Sequence, residues 1–279
     1  MPGRSNAIED IRRAIQDHVR DLVGSSSSSP RQPRRDTGLF GPRSVAWRVH
    51  RDFSTMMIGG VAALLLQMLH PAALAGVREH SDFRGDMKGR LKRTARFVSV
   101  TTYGSSEQAR EQIERVRRIH ERVRGSLPDG TPYSATDPDL LTFVHVAEVT
   151  SFLDAYLRYW NPFLPPEDQD RYFAETAVVA RELGATGVPE TRRAAKTFLE
   201  ARRPQLRCDA ATYEVSSALL DSPQGGAAGA FQKVMLDAGI DLLPDWAARM
   251  HGFPVPAARK PLVRVGAMGA ATVLRWALR

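Results

Sequence analysis

The chain predicts an all-α fold, and three observations carry that expectation. Helix starts and stops bracket segment after segment of about a dozen to two dozen residues. Alternating β-branched runs are nearly absent, Phe97–Tyr103 (FVSVTTY) being the one short strand candidate. No hairpin dipeptide separates two such runs. The composition, 279 residues with 43% hydrophobic and 25% charged, is that of a globular chain and excludes disorder throughout.

The elements follow in order. Ser5 or Asn6 caps an N-terminal helix over about Ala7–Val23, in which Ile8, Ile11, Ile15, Val19 and Leu22 recur at helical spacing and mark a packing arm. Residues 25–42 (SSSSSPRQPRRDTGLFGP) offer little to bury and read as a flexible connector. Arm and connector thus occupy 1–37, and the main body spans 38–256. The apolar run Ile58–Val77 has the length of a membrane span. It contains Gln67, His70 and Pro71, however, and predicts a buried helix kinked at the proline. A helix starts near Met87. Ser105 and Ser106 open another that runs to Gly125. Thr136-Asp137-Pro138 opens one through Trp160, Pro165-Pro166-Glu167 one through Leu183-Gly184, and Pro189-Glu190 one through Arg202. Residues 257–279 interleave five cations with apolar residues and no acid. That composition suits a basic amphipathic helix in peripheral contact with a membrane surface, or equally a terminal helix packed on the core.

Composition and motifs remove several function classes. The single cysteine, Cys208, excludes a disulfide framework, Cys-rich metal sites and covalent haem attachment, and favours a reducing compartment. The N-terminus lacks the apolar stretch of a secretory signal, so the expected location is cytoplasmic. A net charge of +8 is moderate for this length, and no nucleic-acid partner is expected. Neither phosphate-cradling glycine loop occurs, no His-Glu-x-x-His occurs, and no histidine has a glutamate three residues before it, which excludes the di-iron bundle pattern.

Three of the seven histidines fall on apolar helix faces. Ile113, Val116, His120 and Val123 are spaced 3, 4 and 3 apart, so the imidazole projects from the one apolar stripe of an otherwise charged helix. Leu141, His145, Glu148 and Phe152 share a face by the same rule, and His70 sits beside its proline in the long apolar run. Each could be a hydrogen-bonded core residue; one inward histidine offered to a large planar cofactor is the other reading, since haem needs a single good proximal nitrogen. In the basic stretch Arg84–Arg96, Arg90, Arg93 and Thr94 fall at i, i+3 and i+4 and form one polar face, solvated or lining a pocket.

These blocks, GLFGPRSVAWRVH, LLLQMLHPAALAGVREHSDFRGDMKGRLKRTARFVSVTTYGSSEQA, VRRIHERVRG and YSATDPDLLTFVHVAEVTSFLDAYLRY, taken in order over about Gly38 to Gly252, resemble the catalytic domain of the oxygenase MpaB family, which includes the rubber oxygenases called latex-clearing proteins. The resemblance implies a globin-like helical domain enclosing one non-covalent haem b, whose iron serves dioxygen chemistry on an apolar small-molecule substrate. It places the proximal iron ligand of the rubber oxygenases on His120 and their Arg-x-x-Lys-Thr block on Arg90, Arg93 and Thr94. Arg93 replaces a lysine that can close the distal side of the iron, and a guanidinium has no lone pair with which to ligate. The distal glutamate of that group has no clear counterpart near Leu69–Ala75, where this chain offers His70 as acid or base. Both departures argue against rubber as the substrate. His145 remains either a residue that supports the iron ligand from behind or a rival axial ligand, with Glu148 one turn on. Two other function classes stay open: a haem carrier or sensor without turnover, and a cofactor-free helical protein that binds anionic surfaces.

Overall fold

A computed structural model describes residues 36–221, 226–253 and 256–278, together with Glu9, Arg12, Arg13 and Gln16. Most of the expected N-terminal helix and residues 17–35 of the arm and connector lie outside the described residues. Twelve α-helices and one two-stranded hairpin make up the described part, so the fold is all-α in substance.

The long apolar run breaks where the proline demands it. Helix α1 (Val45–His50) leads to α2 (Phe53–Met68), and after Leu69 and His70 the chain turns by 102° into α3 (Pro71–His80). Pro71 at the first position of α3 has no N–H to contribute to the end of α2, and its ring keeps His70 extended, at φ −86° and ψ 119°. Helix α4 (Met87–Tyr103) is capped by the Asp86 carboxylate, which accepts from the Gly89 N–H. The strand candidate Phe97–Tyr103 is instead the last part of this helix. Its β-branched residues are accommodated because Thr101 returns its hydroxyl to the Phe97 carbonyl and Thr102 is buried.

Helix α5 (Ser106–His120) opens on a complete capping box between Ser105 and Gln108. It stops at His120, not at Gly125. Arg124–Ser126 (β1) pairs antiparallel with Pro132–Ser134 (β2), Gly125 facing Tyr133, in a short hairpin that carries the chain to the next helix.

Helix α6 (Pro138–Tyr159) starts at the Asp137 cap with Pro138 in its first turn. Helix α7 (Pro166–Leu183) ends on Gly184 at φ +108°, a left-handed stop that glycine adopts without strain. Helices α8 (Arg192–Arg202), α9 (Ala210–Leu220), α10 (Gly226–Leu242), α11 (Asp245–Met250) and α12 (Lys260–Ala277) complete the body.

Helix α2 is the axis of the core, held between α6 and α10, and α12 packs on α10, α2 and α6. Close approach on both sides depends on glycine. Opposite α6, a Cβ on Gly59 would lie 2.9 Å from Phe152 Cα and from the Ser151 carbonyl oxygen. Toward α10, a Cβ on Gly239 would meet the Val61 side chain at 2.5 Å. Two buried carboxylates fasten the helices across this core. Asp241 of α10, its side chain fully buried, receives Arg158 of α6 at 3.1 Å and Arg264 of α12 at 2.8 Å. Asp52 caps α2 through the Thr55 N–H and receives Arg275 of α12 at 2.7 Å. Among the described residues α6 has the apolarity and length to cross a membrane, as does the bent α2–α3 pair if taken as one span. Two thirds of the α6 window is buried inside the protein, as in the core helix of a compact body.

Candidate functional site

One cavity is a mostly apolar cleft of about 280 Å³, walled by α2, α3 and α6 and closed by Arg90 of α4 and the end of α5. His120 is the last residue of α5, so its ring stands at the helix end against this cleft. Its Nδ1 is buried without a hydrogen-bond partner, and burial holds its pKa below the ordinary imidazole value. The ring is therefore neutral at neutral pH, with a nitrogen lone pair to offer. Val123, next on the predicted stripe, lines the same cleft although it lies beyond the helix. Ile119 beside them is 51% exposed, which places it at the mouth.

Arg90 reaches the cleft from α4, donating from Nη1 to the Ser81 hydroxyl at 3.0 Å. Burial, and then the neighbouring Arg93 charge, lower its pKa, so its environment favours an anionic partner. The polar face expected at Arg90, Arg93 and Thr94 does not enter the cleft as a unit. Arg93 is exposed and paired with Asp86 at 3.0 Å; Thr94 is exposed and turns its hydroxyl back to the Arg90 carbonyl at 3.2 Å. Spacing put the three on one side of the helix, but of its residues Arg90 alone lines the cleft.

His70 lies elsewhere. It lines a second cavity, of about 300 Å³, with Tyr133, Asp137, Asp139, Arg202 and Arg207. Its ring packs against Phe143 at 5.0 Å, and its Nδ1 is buried without a partner. Burial pushes its pKa down to about 4; Asp137 opposes that shift, and Arg202 and Arg207 reinforce it. Ala72 and Leu140 line both cavities.

His145 lines neither cavity. Burial, then Arg181, lower its pKa to about 4, and its Nε2 has no partner, so that atom makes no bond to Glu148. Glu148, raised to about 7 by burial, acts electrostatically on Tyr172 instead. Tyr172 belongs to a buried group that the histidine survey did not isolate: His50 bridges the Thr102 and Tyr172 hydroxyls, each at 2.8 Å. Three further residues of the cleft also went unselected, Gln67, His80 and Ser81. The spacing of Ala73, Val77 and His80 along α3 was the available signal for His80.

Among the described residues no group of three or more His, Cys, Asp or Glu side chains could hold a metal ion. The cleft instead offers His120 and His80, one arginine and mostly apolar walls, a donor set that fits a planar group bringing its own equatorial ligands.

Neither the curated proteins nor the solved structures compared with the chain contain a match. A family model described as "ER-bound oxygenase mpaB/B'/Rubber oxygenase, catalytic domain" matches residues 47–276, a stretch that takes in α2 to α11 whole, both cavities and nearly all of α12. On that match the chain belongs to the MpaB and rubber oxygenase catalytic-domain family and carries an oxygenase-type catalytic domain.

Proposed function

We propose that the cleft beside His120 holds one non-covalent haem b and that the chain uses dioxygen to oxidise an apolar small molecule. The observation that carries this reading is the neutral His120 ring with an unpartnered buried nitrogen on the wall of an apolar cleft, in a chain of an oxygenase family. Haem, when bound, supplies the redox chemistry with dioxygen. The chain's own residues supply the rest. His120 would hold the iron of that group, for which one nitrogen of a neutral imidazole suffices. Arg90, held by Ser81, is placed to pair with a carboxylate of the cofactor or to donate a hydrogen bond into the cleft. Leu64, Met68, Val77 and Val144 exclude water and favour an apolar substrate. His70 lines the second cavity and not the cleft, so it would act as acid or base only on a group in that cavity.

The visible spectrum of the purified protein tests the reading. Protein reconstituted with haem shows a strong Soret band, and His120→Ala loses most of it while keeping its far-UV helical signal. A His120→Ala protein that stays red with an unaltered spectrum overturns the assignment and makes His145 the next residue to change. Dioxygen uptake with an added apolar substrate separates the oxygenase from a carrier: a haem-loaded protein that consumes none across a panel of such substrates is a carrier or sensor.

A further inference from the structure

Oxidisable rings run from the core to the surface beside α1. Tyr172 of α7 is fully buried, and its hydroxyl lies 2.8 Å from His50 Nε2; His50 Nδ1 lies 2.8 Å from the Thr102 hydroxyl. Tyr103, next to Thr102 on α4, acts electrostatically on Tyr172, and its ring meets Trp47 edge to face with centroids 5.0 Å apart. Its hydroxyl donates to the Trp47 carbonyl at 3.4 Å. Trp47 is half-buried, and the charge of the exposed Arg51 acts on Tyr103, so this end of the series borders solvent. None of these residues lines either cavity.

The proton positions follow from burial. Burial keeps His50 neutral, so one of its nitrogens carries a hydrogen and the other a lone pair. Among the described residues His50 is the one hydrogen-bond partner of the Tyr172 hydroxyl, and a buried O–H that donated to nothing would be costly. Tyr172 therefore donates to Nε2, and Nδ1–H donates to Thr102. Burial, then Glu148 and Tyr103, hold the Tyr172 phenol well above its usual pKa, so the phenolate does not form. Loss of an electron alone would leave a cation in the dry core. An electron leaves this ring only if the proton moves too, and its acceptor is already in contact.

We infer that Tyr172 is a redox-active tyrosine, which gives an electron to a one-electron oxidant by way of Tyr103 and Trp47 while its phenolic proton crosses to His50 Nε2. In that step the Tyr172 O–H bond breaks and an N–H bond forms at Nε2. The ring becomes a neutral phenoxyl, His50 becomes an imidazolium that donates to the phenoxyl oxygen and to Thr102, and the oxidant is reduced by one electron. A phenol that has lost an electron is a far stronger acid than an imidazolium, so even a His50 held at about 3 by burial accepts the proton. The inference stands on this geometry and does not require haem in the cleft. Its use in an oxygenase-type domain is to carry oxidising equivalents out of the core: Glu148, which acts on Tyr172, is one turn from Val144 of the cleft wall, about 6 Å along α6.

Photogenerated tris(bipyridine)ruthenium(III), a one-electron oxidant too large to enter the core, tests the inference on the full chain, with the radical followed by transient absorption and freeze-quench electron paramagnetic resonance. The expected result is a long-lived tyrosyl signal that falls several-fold in Tyr172→Phe and is unchanged in Tyr213→Phe, which removes an exposed ring. Trp47→Phe slows its formation several-fold. The His50 contact has its own signature: the largest g value of a phenoxyl falls when its oxygen accepts a hydrogen bond, so His50→Leu raises it. A signal that survives Tyr172→Phe at full strength overturns the proposal. An unchanged rate in Trp47→Phe overturns the path, and an unmoved g value in His50→Leu overturns the proton transfer. Should Tyr172→Phe fold poorly, the unaltered protein decides: a gadolinium chelate in solution broadens a radical on a surface ring and leaves one on buried Tyr172 sharp, so a broadened signal refutes the assignment.

Discussion

Gly59 and Gly60 are adjacent in α2, and the structure predicts opposite outcomes for the same substitution at the two positions. In a helix interior, Gly→Ala contributes about 0.8–1.0 kcal/mol through backbone entropy alone. At Gly60 the new methyl would have Phe152 Cε1 as its nearest neighbour, at 3.9 Å, an ordinary contact. Nothing opposes the gain there. At Gly59 the methyl would lie 2.9 Å from Phe152 Cα, Phe152 Cδ1 and the Ser151 carbonyl oxygen. Two of those three atoms are backbone of α6, so no side-chain rotation relieves the clash and the two helices must separate. Overpacking of that kind costs about 1–3 kcal/mol, with the rigid partner here placing it at the upper end. After the propensity gain is subtracted, Gly59→Ala is destabilised by about 2 kcal/mol and Gly60→Ala stabilised by just under 1 kcal/mol. For a body of this size that corresponds to a melting temperature lowered by roughly 4–8 °C in the first and raised by roughly 2–4 °C in the second. Differential scanning calorimetry of the two variants reads the difference directly. A Gly59→Ala protein as stable as Gly60→Ala would refute the close approach of α2 and α6, and with it the position of Leu64, Gln67 and Met68 on the cleft wall.

Other outcomes follow from the same geometry. Asp241→Ala leaves the guanidinium groups of Arg158 and Arg264 without their shared carboxylate; since both arginines are partly exposed, the loss falls near the lower end for a broken buried pair, about 3 kcal/mol by urea denaturation. Arg93→Ala and Thr94→Ala, both on exposed positions, leave haem retention near wild type, whereas Arg90→Met lowers it, as measured by haem transfer to a scavenging apoprotein. Burial holds His50 at about 3 and His70 and His145 at about 4, below their unfolded value of 6.5. The unfolded chain therefore takes up protons that the folded chain refuses as pH falls from 6.5 to 4, and stability drops by up to about 1.4 kcal/mol per pH unit for each ring. Glu148, raised to about 7, works against this, because its contribution is present at low pH and lost as pH rises through 7. Glu148→Gln therefore steepens the acid loss seen in melting temperature between pH 6.5 and 5, and an unchanged slope would refute the burial of that carboxyl.

The helices with chemical punctuation were legible in the sequence, as were α4 and the amphipathic α12, whereas α1, α9, α10 and α11 were not. Pro166 and Gly184 bracket α7 as expected, and Asp137-Pro138 opens α6, because a cap, a missing N–H and a left-handed stop are local demands. The end of α5 was placed too late, since nothing between His120 and Gly125 forbids another turn; the hairpin that replaces it has three-residue strands, too short to show alternation. That His120 faces inward to the cleft could be read from its stripe, because one helix is enough to set its direction. That His70 would face another cavity could not, because the sense of a 102° turn depends on what the second helix packs against. Asp241 and Asp52 gave no signal at all, being joined to partners 23 to 223 residues away.

The turn at His70 and Pro71 also makes neighbours of two chemically unlike chambers. Ala72 and Leu140 border both, so their side chains form a septum between an ion-lined room and an oily one. A molecule with an apolar body and a polar end could not extend from one room to the other without displacing the Leu140 side chain or meeting the small methyl of Ala72. On the proposed function, these two hydrocarbon groups would limit the length of substrate the cleft accepts, and chain-length preference would be retuned there without touching a single polar residue.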